Sequence, residues 1–139
     1  MECYYFGTFN PPHKGHIQTA KEVLDEFNFS KIIFVPSYNP PHKSNYINPL
    51  DRLNMLKLVE EDKIKVSDIE FHLPTPSYSY RTIQAISKDK KVNFIIGYDA
   101  FINIESWKNP AFLKKHLFFI VLKRKGEKRE NIEKLKDKG

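Results

Sequence analysis

The chain has 139 residues, 40% of them hydrophobic and 14% aromatic, which suits one packed domain and excludes a disordered chain. Its single cysteine excludes an internal disulfide framework and fits a reducing cytoplasm. Four of the six net positive charges fall in residues 123–139, where eight Lys or Arg are mixed with four Asp or Glu. That mixture reads as a basic tail, partly helical or disordered, following a domain of residues 1–122. No recognition helix or stacking platform accompanies it, so nucleic acid is not an expected partner. No leader pattern opens the sequence and no apolar run nears bilayer length, so secretion and membrane association are not expected.

The apolar run Cys3-Tyr4-Tyr5-Phe6 predicts a buried first strand. Ile17, Ala20, Val23, Leu24 and Phe27 recur at helical spacing and predict an amphipathic helix. Between them stands Gly7-Thr8-Phe9-Asn10-Pro11-Pro12-His13-Lys14-Gly15-His16. Gly7 lets backbone come close to a ligand, and Gly15 leaves room at the mouth of the helix. The free N–H groups and positive dipole end of that helix attract anions. His13 and His16, three apart, would project to one side of a first helical turn and donate hydrogen bonds to phosphate oxygens. The pattern is that of a phosphate-handling site. No Cys or His cluster has metal-ligand spacing, so no protein-held metal is expected.

Lys31-Ile32-Ile33-Phe34-Val35-Pro36 reads as a second strand covered on both faces. A proline-stiffened loop, Ser37 to Asn45, follows. Pro49 marks a helix start, with Leu50, Leu53, Leu56 and Val59 as its expected buried stripe. Arg52 on that helix has two open roles, reaching a phosphate or pairing with Asp51 or Glu60. Ile64 to Phe71 predicts a third strand and Ser79 to Lys88 a helix with Tyr80, Ile83 and Ile86 inward. Val92 to Ile96 predicts a strand ending at Gly97, followed by short helices over 99–104 and 110–116. Leu117 to Leu122 predicts the last strand. Repeated β-α units without hairpin signals predict a doubly wound, mainly parallel sheet with helices on both faces. Ligands then bind beyond the carboxyl ends of the strands, where Gly7-Thr8, Asn39-Pro40-Pro41-His42-Lys43 and Gly97-Tyr98-Asp99 fall.

Gly7-Thr8-Phe9-Asn10-Pro11 with His13-Lys14-Gly15-His16 resembles the GTFxP…HxGH signature of the nucleotidylyltransferase superfamily. Within it the chain resembles the bacterial nicotinate-nucleotide adenylyltransferases, through four further segments. These are Val35 to Lys43, Asp51 to Leu56, Pro76 to Thr82, and Ile95-Ile96-Gly97-Tyr98-Asp99 followed by Trp107. The resemblance implies a Rossmann-like nucleotidylyltransferase fold and transfer of the adenylyl group of ATP to nicotinate mononucleotide, giving deamido-NAD and pyrophosphate. It implies that His16 stabilises the transition state and His13 holds ATP phosphates. Backbone at Gly7, Thr8 and Phe9 would meet the nucleotide, and Gly97 and Asp99 the adenosine ribose. Asn39, His42 and Lys43 would serve the mononucleotide phosphate, with Ser77, Tyr78 and Thr82 near the nicotinate carboxylate and Trp107 stacked on the pyridine ring. Mg2+ would arrive with ATP.

Two departures stand beside the resemblance. No Ser-Thr-x-x-Arg segment occurs, where relatives close such a motif over the triphosphate; a truncated chain and a shorter, weakened branch are both compatible with this. Asn10 stands where many bacterial relatives have Asp. The alternatives are another superfamily member, a pantetheine-phosphate adenylyltransferase or a cytidylyltransferase, and a catalytically weak nucleotide-binding domain.

Overall fold

Strand β1 (Glu2–Gly7) pairs in parallel with β2 (Lys31–Pro36) along its whole length, Glu2 opposite Lys31 and Gly7 opposite Pro36. These two strands belong to the first of two units, Met1–Ser77 and Tyr78–Gly139. The computed structural model describes residues 1–7, 9, 12, 14–38, 47–75, 77–87, 90–122 and 133–135, with 99 and 133–135 described by backbone alone. Helix α1 (Lys14–Phe27) connects β1 to β2 and buries Thr19, Ala20 and Val23. Asn28, at φ 58° in the left-handed region, ends it while its N–H bonds the Leu24 carbonyl. Cys3, Ile32, Phe34 and Val35 are likewise buried in the unit.

Helix α2 (Pro49–Lys57) starts as its sequence dictates, with Asn48 Oδ1 accepting from Leu50 N at 2.8 Å and Pro49 in the first turn. Its buried face differs from the expected stripe. Leu53 and Leu56 are interior, but Leu50 is 56% exposed and Val59, beyond the helix, 39% exposed, while Arg52 is fully buried. Strand β3 (Ile64–Val66) is shorter than the predicted Ile64 to Phe71. It pairs in parallel with β2, and Ser67 N makes the last rung to Phe34 O. Ser67 Oγ then accepts from Ile69 N, and a 3-10 turn over Ile69–His72 takes the chain off the sheet.

In the second unit, helix α3 (Ser79–Ser87) precedes β4 (Val92–Gly97), which pairs in parallel with β5 (Leu117–Leu122). Successive β4 residues Val92 to Ile96 are all buried, so both faces of that strand are covered. Helix α4 (Tyr98–Ile102), a 3-10 turn at Ile104–Ser106 and helix α5 (Pro110–His116) make the crossover between them. Phe94, Phe101 and Phe119 pack edge to face in this core. Strand β6 (Glu133–Leu135) pairs antiparallel with β5, so the segment expected as a partly helical or disordered tail contributes an edge strand. Three residues are too few to show a strand period in sequence, whereas the open edge of β5 offers unpaired backbone groups. Among the described residues no helix is long and apolar enough to cross a membrane.

Cys3 is fully buried, and that burial pushes its thiol pKa up, away from the reactive thiolate. A water-soluble disulfide reagent at about pH 8 should therefore leave the native protein unmodified and titrate the thiol only after denaturation. Rapid labelling of the native chain, read by absorbance of the released chromophore, contradicts this packing.

Candidate functional site

The glycine turn is built around Phe9. This residue is buried, adopts φ 54° in the left-handed region, and sets its ring above Gly7. A Cβ added to Gly7 would lie 3.1 Å from the Phe9 ring. The missing side chain at Gly7 is thus filled by the protein's own aromatic ring, where the sequence suggested room for a ligand. Phe9 packs edge-on against Tyr5, Phe34 and His16, with the His16 ring centroid 4.9 Å away. His16 lies in the first turn of α1, half-buried, with Tyr5 on another side at 6.3 Å. Its imidazole is braced by aromatic edges at the helix mouth. Thr8 and His13 lie outside the described residues, so the expected pairing of two histidines does too.

Asn39, His42 and Lys43 also lie outside the described residues. The flanks of their loop are described, and they converge on Arg52. Its Nε donates to Ile47 O at 2.7 Å, Nη1 to Ser37 O at 2.7 Å and Nη2 to Tyr38 O at 3.4 Å. These hydrogen bonds of Arg52 serve neither of the two roles open in the sequence. Arg52 points into backbone carbonyls, while the Glu60 carboxylate accepts from Val66 N and Asp51 is exposed. Free carbonyls at the end of a strand and the start of a helix need donors, and a planar guanidinium fork supplies several at once. Only its position beside Asn48-Pro49 hinted at this in sequence.

In the second unit Gly97 ends β4 opposite Leu122 and opens α4 at φ −71°. Among the described residues a Cβ there would meet nothing within 4 Å. Asp99 is in α4; its side chain is not described. Trp107 follows the 3-10 turn, half-buried, with Phe94 at 6.5 Å on one side. It is neither a sealed core residue nor a freely solvated one. Tyr78 is half-buried just before α3, and Thr82 within α3 is only 1% exposed. Ser77, the last residue of the first unit, is buried.

Arg81, not singled out from the sequence, lies beside these residues. Its guanidinium sits over the Tyr78 ring at 5.3 Å and the Tyr80 ring at 5.7 Å, and Nη1 is buried with no hydrogen-bond partner among the described residues. Lys108 Nζ stands 5.8 Å from the Tyr78 ring centroid. Two cations flanking one tyrosine make this part of α3 electropositive. The signal in sequence was one arginine inside an aromatic, hydroxyl-rich segment. A separate groove of about 660 Å³ between α1 and α2, lined by Ile17, Lys21, Met55 and Leu58 among others, contains none of the expected site residues.

Residues 4–137 match the family described as cytidylyltransferase-like. Two curated relatives carry the name "Probable nicotinate-nucleotide adenylyltransferase". The one from Desulfatibacillum aliphaticivorans is 40% identical over 125 residues, covering 86% of this chain and 58% of that protein. The one from Aquifex aeolicus is 34% identical over 143 residues, covering 99% of this chain and 83% of that protein. Two structures of Plasmodium falciparum nicotinic acid mononucleotide adenylyltransferase, complexed with NaAD and with APC, share the fold at a TM-score of 0.69. They are 21% and 23% identical, and the match covers 91% of this chain and 66% and 65% of theirs. The fold is the Rossmann-like nucleotidylyltransferase fold, and the chain belongs to the cytidylyltransferase-like family. Within it, the chain belongs to the nicotinate-nucleotide adenylyltransferases. It spans less than two thirds of the Desulfatibacillum relative's length.

Truncating Phe9 removes the anchor of the turn. Phe9→Ala should lower stability by about 3–5 kcal/mol, and Gly7→Ala by about 1 kcal/mol as the ring shifts to admit a methyl group. Denaturant unfolding monitored by far-UV dichroism measures both; a neutral Phe9→Ala contradicts the packing described.

Proposed function

We propose that this polypeptide transfers the adenylyl group of ATP to nicotinate mononucleotide, releasing pyrophosphate and forming deamido-NAD. The reading is supported by membership of the family and, in this chain, by one observation above others: His16 stands in the first turn of α1 with its ring fixed by Phe9 and Tyr5. The Plasmodium structures complexed with NaAD and APC support nucleotide substrates of the same classes here. The mononucleotide phosphate attacks the α-phosphorus in line, one P–O bond forming as the bond to the pyrophosphate leaving group breaks. No covalent enzyme intermediate is needed, so the protein's contribution is alignment and neutralisation of charge on the phosphoryl oxygens.

In this reading His16 donates to the α-phosphate oxygens as charge builds there, and His13 holds the phosphates beyond. Backbone at Gly7, Thr8 and Phe9 follows the nucleotide. Asp99 faces the ribose hydroxyls, as suits a carboxylate acceptor. Asn39, His42 and Lys43 take the mononucleotide phosphate. Ser77, Tyr78 and Thr82 serve the nicotinate end, and the half-buried Trp107 stacks on the pyridine ring. Thr82 is buried within α3. Mg2+ enters as part of MgATP, and the reaction belongs to the cytoplasm.

Glycine at 97 is required neither by its φ of −71° nor by packing among the described residues, which supports a ligand as the reason for its small size. Gly97→Ala should retain or slightly raise the melting temperature, by the equivalent of about 0.4–1 kcal/mol, while KM for ATP rises several-fold. A loss of stability with unchanged KM would remove Gly97 from the nucleotide site.

Pyrophosphate release tests the reaction itself, with nicotinate and nicotinamide mononucleotides side by side and ATP as donor. Turnover is expected with the acid, and His16→Ala should lower it by about a hundred- to a thousandfold with the far-UV spectrum retained. Turnover only with phosphopantetheine, or only with CTP and another acceptor, overturns the substrate assignment; an unaffected His16→Ala removes that imidazole from the mechanism.

A further inference from the structure

We infer that Arg81, with Lys108 beside it, is a specificity residue that favours a mononucleotide whose pyridine ring bears a carboxylate over one bearing a carboxamide. The inference rests on the reading above in which the start of α3 and Trp107 serve the nicotinate end. Arg81 lies in the first turn of α3 and is held there by two phenol rings. Tyr78 and Tyr80 stack with centroids 6.2 Å apart, and the guanidinium lies against both, at 5.3 and 5.7 Å. Its Nε donates to Tyr80 Oη at 3.3 Å. Nη1 is buried and meets no acceptor among the described residues. The arginine is thus fixed at Nε and unmet at Nη1. A buried N–H group left in that state is costly until a ligand oxygen completes it.

Lys108 supplies the second charge. It follows Trp107 directly, and its Nζ stands 5.8 Å from the Tyr78 ring centroid, which brings the loop of Trp107 to the start of α3. Tyr78, Arg81, Trp107 and Lys108 all belong to the second unit. Glu105, the acidic residue nearest Trp107 in sequence, is engaged by Lys114 and leaves this pair of cations unneutralised. Among the described residues no carboxylate pairs with Arg81 or Lys108. A carboxylate beside the indole would accept charge-assisted hydrogen bonds from the guanidinium and gain from the field of the lysine. A carboxamide is close in size but neutral, and it brings an amino group that no cation can accept from. The phosphate is common to both mononucleotides, so a preference between them isolates the ring substituent.

Isothermal titration calorimetry with nicotinate mononucleotide and nicotinamide mononucleotide compares the wild type with Arg81→Gln. The wild type should bind the acid about tenfold or more tightly than the amide, and Arg81→Gln should bring the two within about threefold by weakening the acid alone. Arg81→Lys keeps the charge without the planar fork and should give an intermediate ratio, which decides the matter if Arg81→Gln loses its far-UV spectrum. A wild-type ratio in the folded variant overturns the inference, as does a wild type that binds neither molecule or shows no preference. Equal weakening of both mononucleotides also overturns it, because Arg81 would then meet a shared group or merely brace α3. Pyrophosphate release separates this test from that of the reaction. A preference lost in Arg81→Gln, with no pyrophosphate released by the wild type, keeps the specificity site and removes the adenylyl transfer. Turnover with the acid and an unchanged ratio keeps the transfer and removes Arg81.

Discussion

The hydrogen bond from Ser37 N to Gly7 O is the last rung of the β1–β2 ladder, and it fixes where the chain leaves both strands of the first unit. Parallel pairing makes two strands release their chains at the same edge. Here the register is level to the final pair, Gly7 opposite Pro36, so the turn leading to His16 and the loop beginning at Ser37 leave side by side. An antiparallel partner would have sent one of them to the far end. The second unit repeats the device with Gly97 opposite Leu122. The resemblance implies substrate-binding residues directly beyond Gly7, Pro36 and Gly97, each the last residue of a strand that pairs in parallel within its own unit.

Gly7 and Gly97 occupy equivalent places at strand ends, yet they are glycine for different reasons. At Gly7 the space of a side chain is taken by Phe9, whose left-handed backbone folds its ring back over the turn. That conformation is disfavoured for a bulky residue, and contacts with Tyr5, Phe34 and His16 offset it. The same contacts brace the imidazole, so the strain and the positioning of His16 have one origin. At Gly97 neither strain nor packing applies among the described residues. One glycine serves the protein's own interior and the other leaves space outside it.

The strands that read clearly in sequence are those with unbroken apolar runs. β1, β2, β4 and β5 fall where Cys3–Phe6, Ile32–Val35, Val92–Ile96 and Leu117–Leu122 predict them, and α5 begins and ends at Pro110 and His116 as expected. The failures come from tertiary events that leave no periodic trace. β3 stops at Val66 because Ser67 turns its hydroxyl onto Ile69 N, and β6 exists because an edge was open to it. A helical stripe over Leu50, Leu53, Leu56 and Val59 weights four residues alike, but α2 ends at Lys57 and an arginine is as fully buried on it as Leu56. The motif named the candidate residues of the site. It said nothing of Phe9 as a support for His16 or of Arg81 over Tyr78, because both depend on which rings the fold brings together.

Arg52 shows why charge in a sequence is a poor guide to its use. A cation on a helix beside Asp51 invites an ion pair, and a cation in a nucleotide enzyme invites a phosphate. The structure spends this one on carbonyl oxygens at the two ends of a single loop. Loop carbonyls beyond a strand end cannot be paired by the sheet, and in a buried position they need donors as much as a core needs methyl groups. A hydroxyl or amide would satisfy one of them. A guanidinium satisfies several of them at once through its planar fork. Such a residue belongs to the core by burial and to the connection between β2 and α2 by its hydrogen bonds.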